Sequence, residues 1–104
     1  MTTNIDIGGP LLDAIASKDV QLVLTQVQQF KDNMRDVTVG VNYVLWITEP
    51  ANLTKVHKAL AEDLGVPPRL LAIRRLLTLN RTQKAVMLMQ AIEMAIRKVI
   101  GQAT

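Results

Sequence analysis

The chain has 104 residues, a usual size for one domain, and 49% of them are apolar, which is enough for one hydrophobic core. Charged residues make up 20% of the chain and glycine and proline are few, so the composition argues against disorder. The sequence contains no cysteine, which excludes disulfides, a thiolate nucleophile and a cysteine metal site.

The first residues and the hydropathy of the chain bear on where the protein is located. The N-terminal stretch MTTNIDIGG has neither the positive start nor the apolar centre of a signal peptide. No segment approaches the run of roughly 20 apolar residues that spans a bilayer. We therefore expect a soluble, cytoplasmic protein without a membrane span.

The net charge of +3 is distributed unevenly along the chain. Residues 1–68 carry five lysines and arginines against eight carboxylates, whereas residues 69–104 carry seven against one. The net charges of the two parts are therefore −3 and +6. A basic third of this kind is typical of binding to nucleic acid, binding to an acidic protein surface, or head-to-tail self-association. The plain alternative is a basic surface that is only solvated.

The N-terminal residues predict the domain boundary. Gly8, Gly9 and Pro10 interrupt any regular structure before them, and Pro10 suits the first turn of a helix. We therefore expect residues 1–9 to form an extended arm and residues 10–104 to form a single helical domain.

Two stretches have a clear helical period. Apolar residues recur at spacings of three and four over residues 11–35, although Ser17 is a candidate break because Asp19 can cap a second helix. Residues 53–64 have the same period, and this helix is predicted to end at Gly65, which is followed by two prolines.

Two further stretches are ambiguous between helix and strand. Residues 37–48 are rich in β-branched side chains that alternate with other residues, and Gly40 is unfavourable in a helix. Residues 69–79 contain five leucines, and we read them as a helix. We favour a mainly α fold, a small bundle of four to five helices in which 37–48 is a central buried helix. The alternative is a central strand and an α+β fold with a β-α-β unit over 37–79.

The C-terminal stretch 81–100 is the longest predicted helix. Asn80 and Gln83 have the spacing of a capping box at its start. One broad face of the helix is apolar and is expected to lie in the core. Its members are Ala85, Leu88, Met89, Ile92, Ala95, Ile96, Val99 and Ile100.

No motif indicates catalysis or sequence-specific DNA recognition. Ala61, Gly65 and Leu71 have the spacing of a helix-turn-helix, but the positions that would face the groove are nearly all apolar. His57 is the single histidine, and no phosphate-binding glycine loop or nucleophile elbow is present. We expect no enzyme activity, no cofactor and no metal site.

A second, narrower apolar stripe on the C-terminal helix carries the functional prediction. Met87, Ala91 and Met94 interrupt its polar side at spacings of four and three, which is typical of a helix packed on two sides. The sequence therefore predicts a small helical protein–protein interaction or assembly module that forms a homo-oligomer through this helix.

The basic residues of the last third have two interpretations. In the first, they select an acidic protein surface beside the apolar stripe. In the second, the segment 69–84 belongs to a small nucleic-acid-binding protein and neutralises phosphates. The residues concerned are Arg69, Arg74, Arg75, Arg81 and Lys84.

Overall fold

Six α-helices make up the part of the chain that the structure describes. The computed structural model covers residues 7–66 and 70–102, without the side chains of Leu71, Arg74 and Gln102. In chain order the helices are α1 (Gly9–Ser17), α2 (Val20–Met34), α3 (Gly40–Thr48), α4 (Pro50–Asp63), α5 (Leu70–Arg74) and α6 (Arg81–Gln102). The covered residues contain no strand, so the predicted mainly α bundle is confirmed and the alternative β-α-β unit is wrong.

The predicted break after Ser17 separates α1 from α2. Lys18 ends α1 in the left-handed region, with φ of 63°. Asp19 then caps α2, and its Oδ1 accepts hydrogen bonds from the backbone N–H groups of Gln21 and Leu22 at 3.1 and 3.2 Å. The direction of the chain therefore changes within two residues, and α1 packs back against α2.

The ambiguous segment 37–48 is helical from Gly40 onward. Asp36 holds the preceding turn, because its Oδ1 accepts from the backbone N–H groups of Thr38 and Val39 at 2.7 and 3.2 Å. The buried residues of α3 are Gly40, Val44, Ile47 and Thr48, at helical spacings. The helix prediction is right, but α3 starts later than predicted and buries only one face.

Three aromatic rings pack where α2, α3 and the start of α1 meet. The Phe30 ring lies edge-on to Tyr43 with centroids 5.0 Å apart, and its centroid is 6.1 Å from that of Trp46. Gly8 lies against the same indole, since a Cβ at this position would come within 1.8 Å of Trp46. The predicted arm, 1–9, falls largely outside the described residues, and α1 begins directly after Gly8.

Helix α6 is the central element of the core. The predicted capping box is present, since the backbone N–H of Gln83 donates to Asn80 Oδ1 at 2.8 Å and the backbone N–H of Asn80 donates to Gln83 Oε1 at 3.0 Å. The helix packs against α2, α3 and α5. Its fully buried residues are Ala85, Leu88, Met89, Ile92 and Ile96, all on the predicted apolar face. Of the described helices, none has the length and apolar character that crossing a membrane requires.

The predicted helix over 69–79 is much shorter in the structure. Helix α5 ends at Arg74, and the chain continues in turns up to Asn80. Leu77 is 95% exposed in these turns. A run of leucines predicts burial, and Leu70 is indeed buried in the core. Leu76 and Leu77, however, lie in the connection between α5 and α6 and are exposed.

One ion-pair network joins α2 to α6. Lys31 Nζ donates to Glu93 Oε1 at 2.8 Å, and the guanidinium of Arg97 donates twice to Glu93 Oε2, at 3.1 and 3.0 Å. The hydrogen bond from Lys31 and then those from Arg97 hold the pKa of Glu93 below its ordinary value of 4.5. The carboxylate therefore stabilises the folded state above pH 4.5, and this stabilisation is lost as the pH falls through the folded-state pKa.

We expect Glu93→Gln to lower the free energy of unfolding at neutral pH, because Lys31 loses its partner. The difference from the wild type should shrink in acid, where Glu93 is protonated in both states. Urea denaturation at neutral pH and below the folded-state pKa measures this. Glu62→Gln on α4 is the control, since Glu62 is exposed and makes no ion pair with a described residue. A Glu93→Gln deficit that is equally large in acid would contradict the assignment.

Candidate interaction surfaces

The predicted methionine stripe lies on the outer side of α6. Met94 is 62% exposed and Met87 is 37% exposed. Ala91, between them, is partly buried and packs against the core. The two methionines are seven residues apart, about 10 Å along the helix axis. Two apolar side chains are thus presented to solvent on either side of a small residue.

The predicted basic residues are only partly described. Arg69 lies outside the described residues, and so does the side chain of Arg74. The structure brings the other three predicted residues, Arg75, Arg81 and Lys84, to one cleft of about 430 Å³. Thr48 and Leu77 line the same cleft, so it lies between the end of α3, the turns after α5, and the start of α6.

Arg81 has a structural role that its charge alone does not reveal. Its Nε donates to Thr48 Oγ1, and its Nη2 donates to the backbone carbonyl oxygen of Leu45 at 3.3 Å. The same Nη2 lies 3.9 Å from Glu49 Oε2. The guanidinium therefore links the first turn of α6 to the last turn of α3 by hydrogen bonds. The nearby Glu49 carboxylate partly compensates its positive charge.

Arg75 and Lys84, unlike Arg81, have no nearby carboxylate among the described residues. Neither side chain lies within ion-pair distance of a described carboxylate. Arg75 is exposed and Lys84 is partly exposed. These two cations are therefore available to a ligand, whereas the Nε and Nη2 of Arg81 each donate a hydrogen bond within the fold.

A third surface was not predicted from the sequence. Val41 and Leu45, one turn apart on α3, are 63% and 43% exposed, and Val86 on α6 is 41% exposed. A second cleft, of about 120 Å³, lies between the end of α2, α3 and α6. Its lining residues are Lys31, Met34, Arg35, Val44, Thr82 and Val86. The i, i+4 spacing of Val37, Val41 and Leu45 was the available signal, but it coincides with an alternating pattern that also fits a strand.

A metal site finds no support among the described residues. No group of three or more histidine, aspartate or glutamate side chains there is placed to hold a metal ion. His57 lies partly buried on α4 and lines neither cleft. In comparisons with protein families, with curated proteins and with solved structures, no match to this chain is found.

Proposed function

We propose that this chain is a small helical protein-interaction or assembly module that self-associates through α6. The observation that carries the proposal is the exposure of Met94 and Met87 on the outer side of a helix whose opposite side contributes five fully buried residues to the core. Methionine suits such a contact, because its flexible thioether adapts to the shape of a partner. A two-fold axis would bring the same stripe of each subunit together.

The geometry of the stripe suits two antiparallel copies of α6. Ala91 lies at its centre, where a small side chain lets two helices approach to the usual 8–10 Å between axes. Met87 of each copy would then lie against Met94 of the other. Burying both methionines contributes at most about 3–6 kcal/mol per subunit before the cost of association. The expected dimer is therefore weak, with dissociation in the micromolar range.

Met94→Lys is expected to convert the dimer to a monomer and to leave the helix content unchanged, because a charge would be desolvated at the contact while the core side of α6 is untouched. Light scattering over a concentration series measures the association, and circular dichroism measures the helix content. Leu22→Lys is the matched control, since Leu22 is an exposed apolar residue on α2 and should leave the mass unchanged.

Two results would count against self-association. A wild type that is monomeric at high micromolar concentration removes the proposal. A Met94→Lys variant that unfolds would mean instead that the stripe belongs to the core of the monomer.

The second candidate function is nucleic-acid binding, favoured by the convergence of Arg75, Arg81 and Lys84 on one cleft. The hydrogen bond of Arg81 to Thr48 weighs against it, and so does the lack of an aromatic side chain among the described residues that line this cleft. Duplex DNA binding that falls roughly a thousandfold between about 50 and 200 mM salt would favour this candidate. Protein binding as the main function predicts no duplex binding even at low salt.

A further inference from the structure

The two clefts beside α3 together form a discontinuous groove along the seam between α3 and α6, and the Arg81 side chain bridges the two helices there. Val44 of α3 lines the smaller cleft, and Thr48, one turn later, lines the larger. On α6, Thr82 lines the smaller cleft and its neighbour Arg81 lines the larger. Because α3 and α6 pack against each other, the groove follows the seam between these two helices from the end of α2 to the turns after α5. We call it the α3–α6 groove.

Exposed apolar residues lie in and beside the α3–α6 groove. Val41 and Leu45 lie on the exposed side of α3, one turn apart, and Val86 lines the groove from α6. Leu77 lines its far end and is almost wholly exposed. Aliphatic residues exposed together along one groove are typical of a surface that a partner covers. A helix with apolar side chains at i, i+3 or i+4 has the matching period.

The ends of the groove are basic. Arg35 lines one end, and Arg75 and Lys84 line the other. None of the three makes an ion pair with a described carboxylate. Beside the larger cleft, Glu49 lies 3.9 Å from Arg81 and is not within ion-pair distance of Arg75 or Lys84. The cations of Arg75 and Lys84 at one end and of Arg35 at the other are therefore left without an ion-pair partner among the described residues.

We propose that the α3–α6 groove binds an amphipathic helix of another protein that carries apolar side chains along one face and carboxylates towards its ends. The apolar face would cover Leu45 and Val86, and the carboxylates would pair with Arg75 and Lys84 at one end and with Arg35 at the other. A second copy of this chain is a poor occupant, because a two-fold contact through the groove brings equal basic ends together.

This site is separate from the self-association surface. Met87 and Met94 line neither cleft. The two surfaces can therefore be tested one at a time, and the groove is tested in the full chain carrying Met94→Lys, so that association of the chain does not alter the signal. A wild type found to be monomeric would leave the groove proposal intact.

The test uses two labelled synthetic peptides of about 16 residues, long enough for four helical turns. Both carry leucines at helical spacing on one face, and they differ only in having glutamate or lysine at the flanking positions. Fluorescence anisotropy should show micromolar binding of the glutamate peptide and binding at least about tenfold weaker for the lysine peptide. In amide-shift mapping with the glutamate peptide, the changes should centre on Leu45, Val86 and Leu77.

Two groove variants and one control variant separate the apolar part of the groove from its basic end. Leu45→Glu should weaken binding of the glutamate peptide by about tenfold or more, because it places a charge against the apolar face. The double variant with Arg75→Glu and Lys84→Glu should do so without disturbing the core, because neither side chain is buried. Leu22→Glu on α2 is the control and should bind as well as the unaltered groove.

The proposal is overturned by any of four results. These are no binding of the glutamate peptide at millimolar concentration, equal binding of the two peptides, amide shifts centred on Met87 and the substituted position 94, or duplex DNA that competes for the same residues.

Discussion

Leu88→Ala should lower the free energy of unfolding by about 3–5 kcal/mol, one of the two largest effects expected for a single substitution in this chain. Leu88 is fully buried at the middle of α6, the helix that packs against α2, α3 and α5. With helices on several sides the site cannot collapse around a smaller side chain, so a cavity adds to the lost transfer free energy. Urea denaturation followed by circular dichroism measures the change.

Met87→Ala is the control for Leu88→Ala. Met87 precedes Leu88 on the same helix but is 37% exposed. Met87→Ala should therefore cost less than about 1 kcal/mol, since part of its side chain is already in water and the helix propensity of alanine is favourable. Equal losses for the two variants would mean that α6 is rotated from the orientation described here.

Gly40→Ala is expected to destabilise the fold by about 2 kcal/mol or more, an unusually large effect for the addition of one methyl group. A Cβ on Gly40 would lie 2.4 Å from the backbone carbonyl oxygen of Met34 and 3.1 Å from its carbonyl carbon. Unlike the end of a flexible side chain, a helix backbone cannot move aside locally. The start of α3 would have to separate from the end of α2. The fluorescence of Trp46, the single tryptophan and part of α3, reports this displacement.

Gly101→Ala is the matched control for Gly40→Ala. Gly101 lies near the end of α6, and a Cβ there would meet no atom within 4 Å. Alanine is the better helix former by about 0.5–1 kcal/mol in a helix interior, so this variant should be neutral or slightly stabilising. A Gly40→Ala variant as stable as Gly101→Ala would show that α2 and α3 do not approach so closely.

The candidate surfaces could be predicted from the sequence only in part. The helical period of α6 placed Met87 and Met94 on the side opposite the core, where the structure has them exposed. The same period could not show that Ala91 is partly buried between them. The charge distribution placed Arg75 and Lys84 in a basic third of the chain. Their position in one cleft with Thr48 depends on the packing of residues that are distant in sequence.

What the sequence by itself determined is local. Asp19 and Asn80 cap helices because their side chains reach backbone N–H groups two or three residues ahead, a relation that needs no other part of the chain. The buried face of α6 follows equally from spacing along one helix. Such features are readable because the interacting groups are neighbours in sequence.

Only the tertiary structure decided the conformation of α3 and the contacts of Arg81. The β-branched segment that becomes α3 suits helix and strand almost equally, and it is helical because that conformation puts Val44 and Ile47 into the core beside α2 and α6. Arg81 links α6 to α3 because the fold places Thr48, which is 33 residues away in sequence, within hydrogen-bond distance of its guanidinium. Where local preferences are balanced, burial and long-range hydrogen bonds choose the structure, and neither is visible before the helices are assembled.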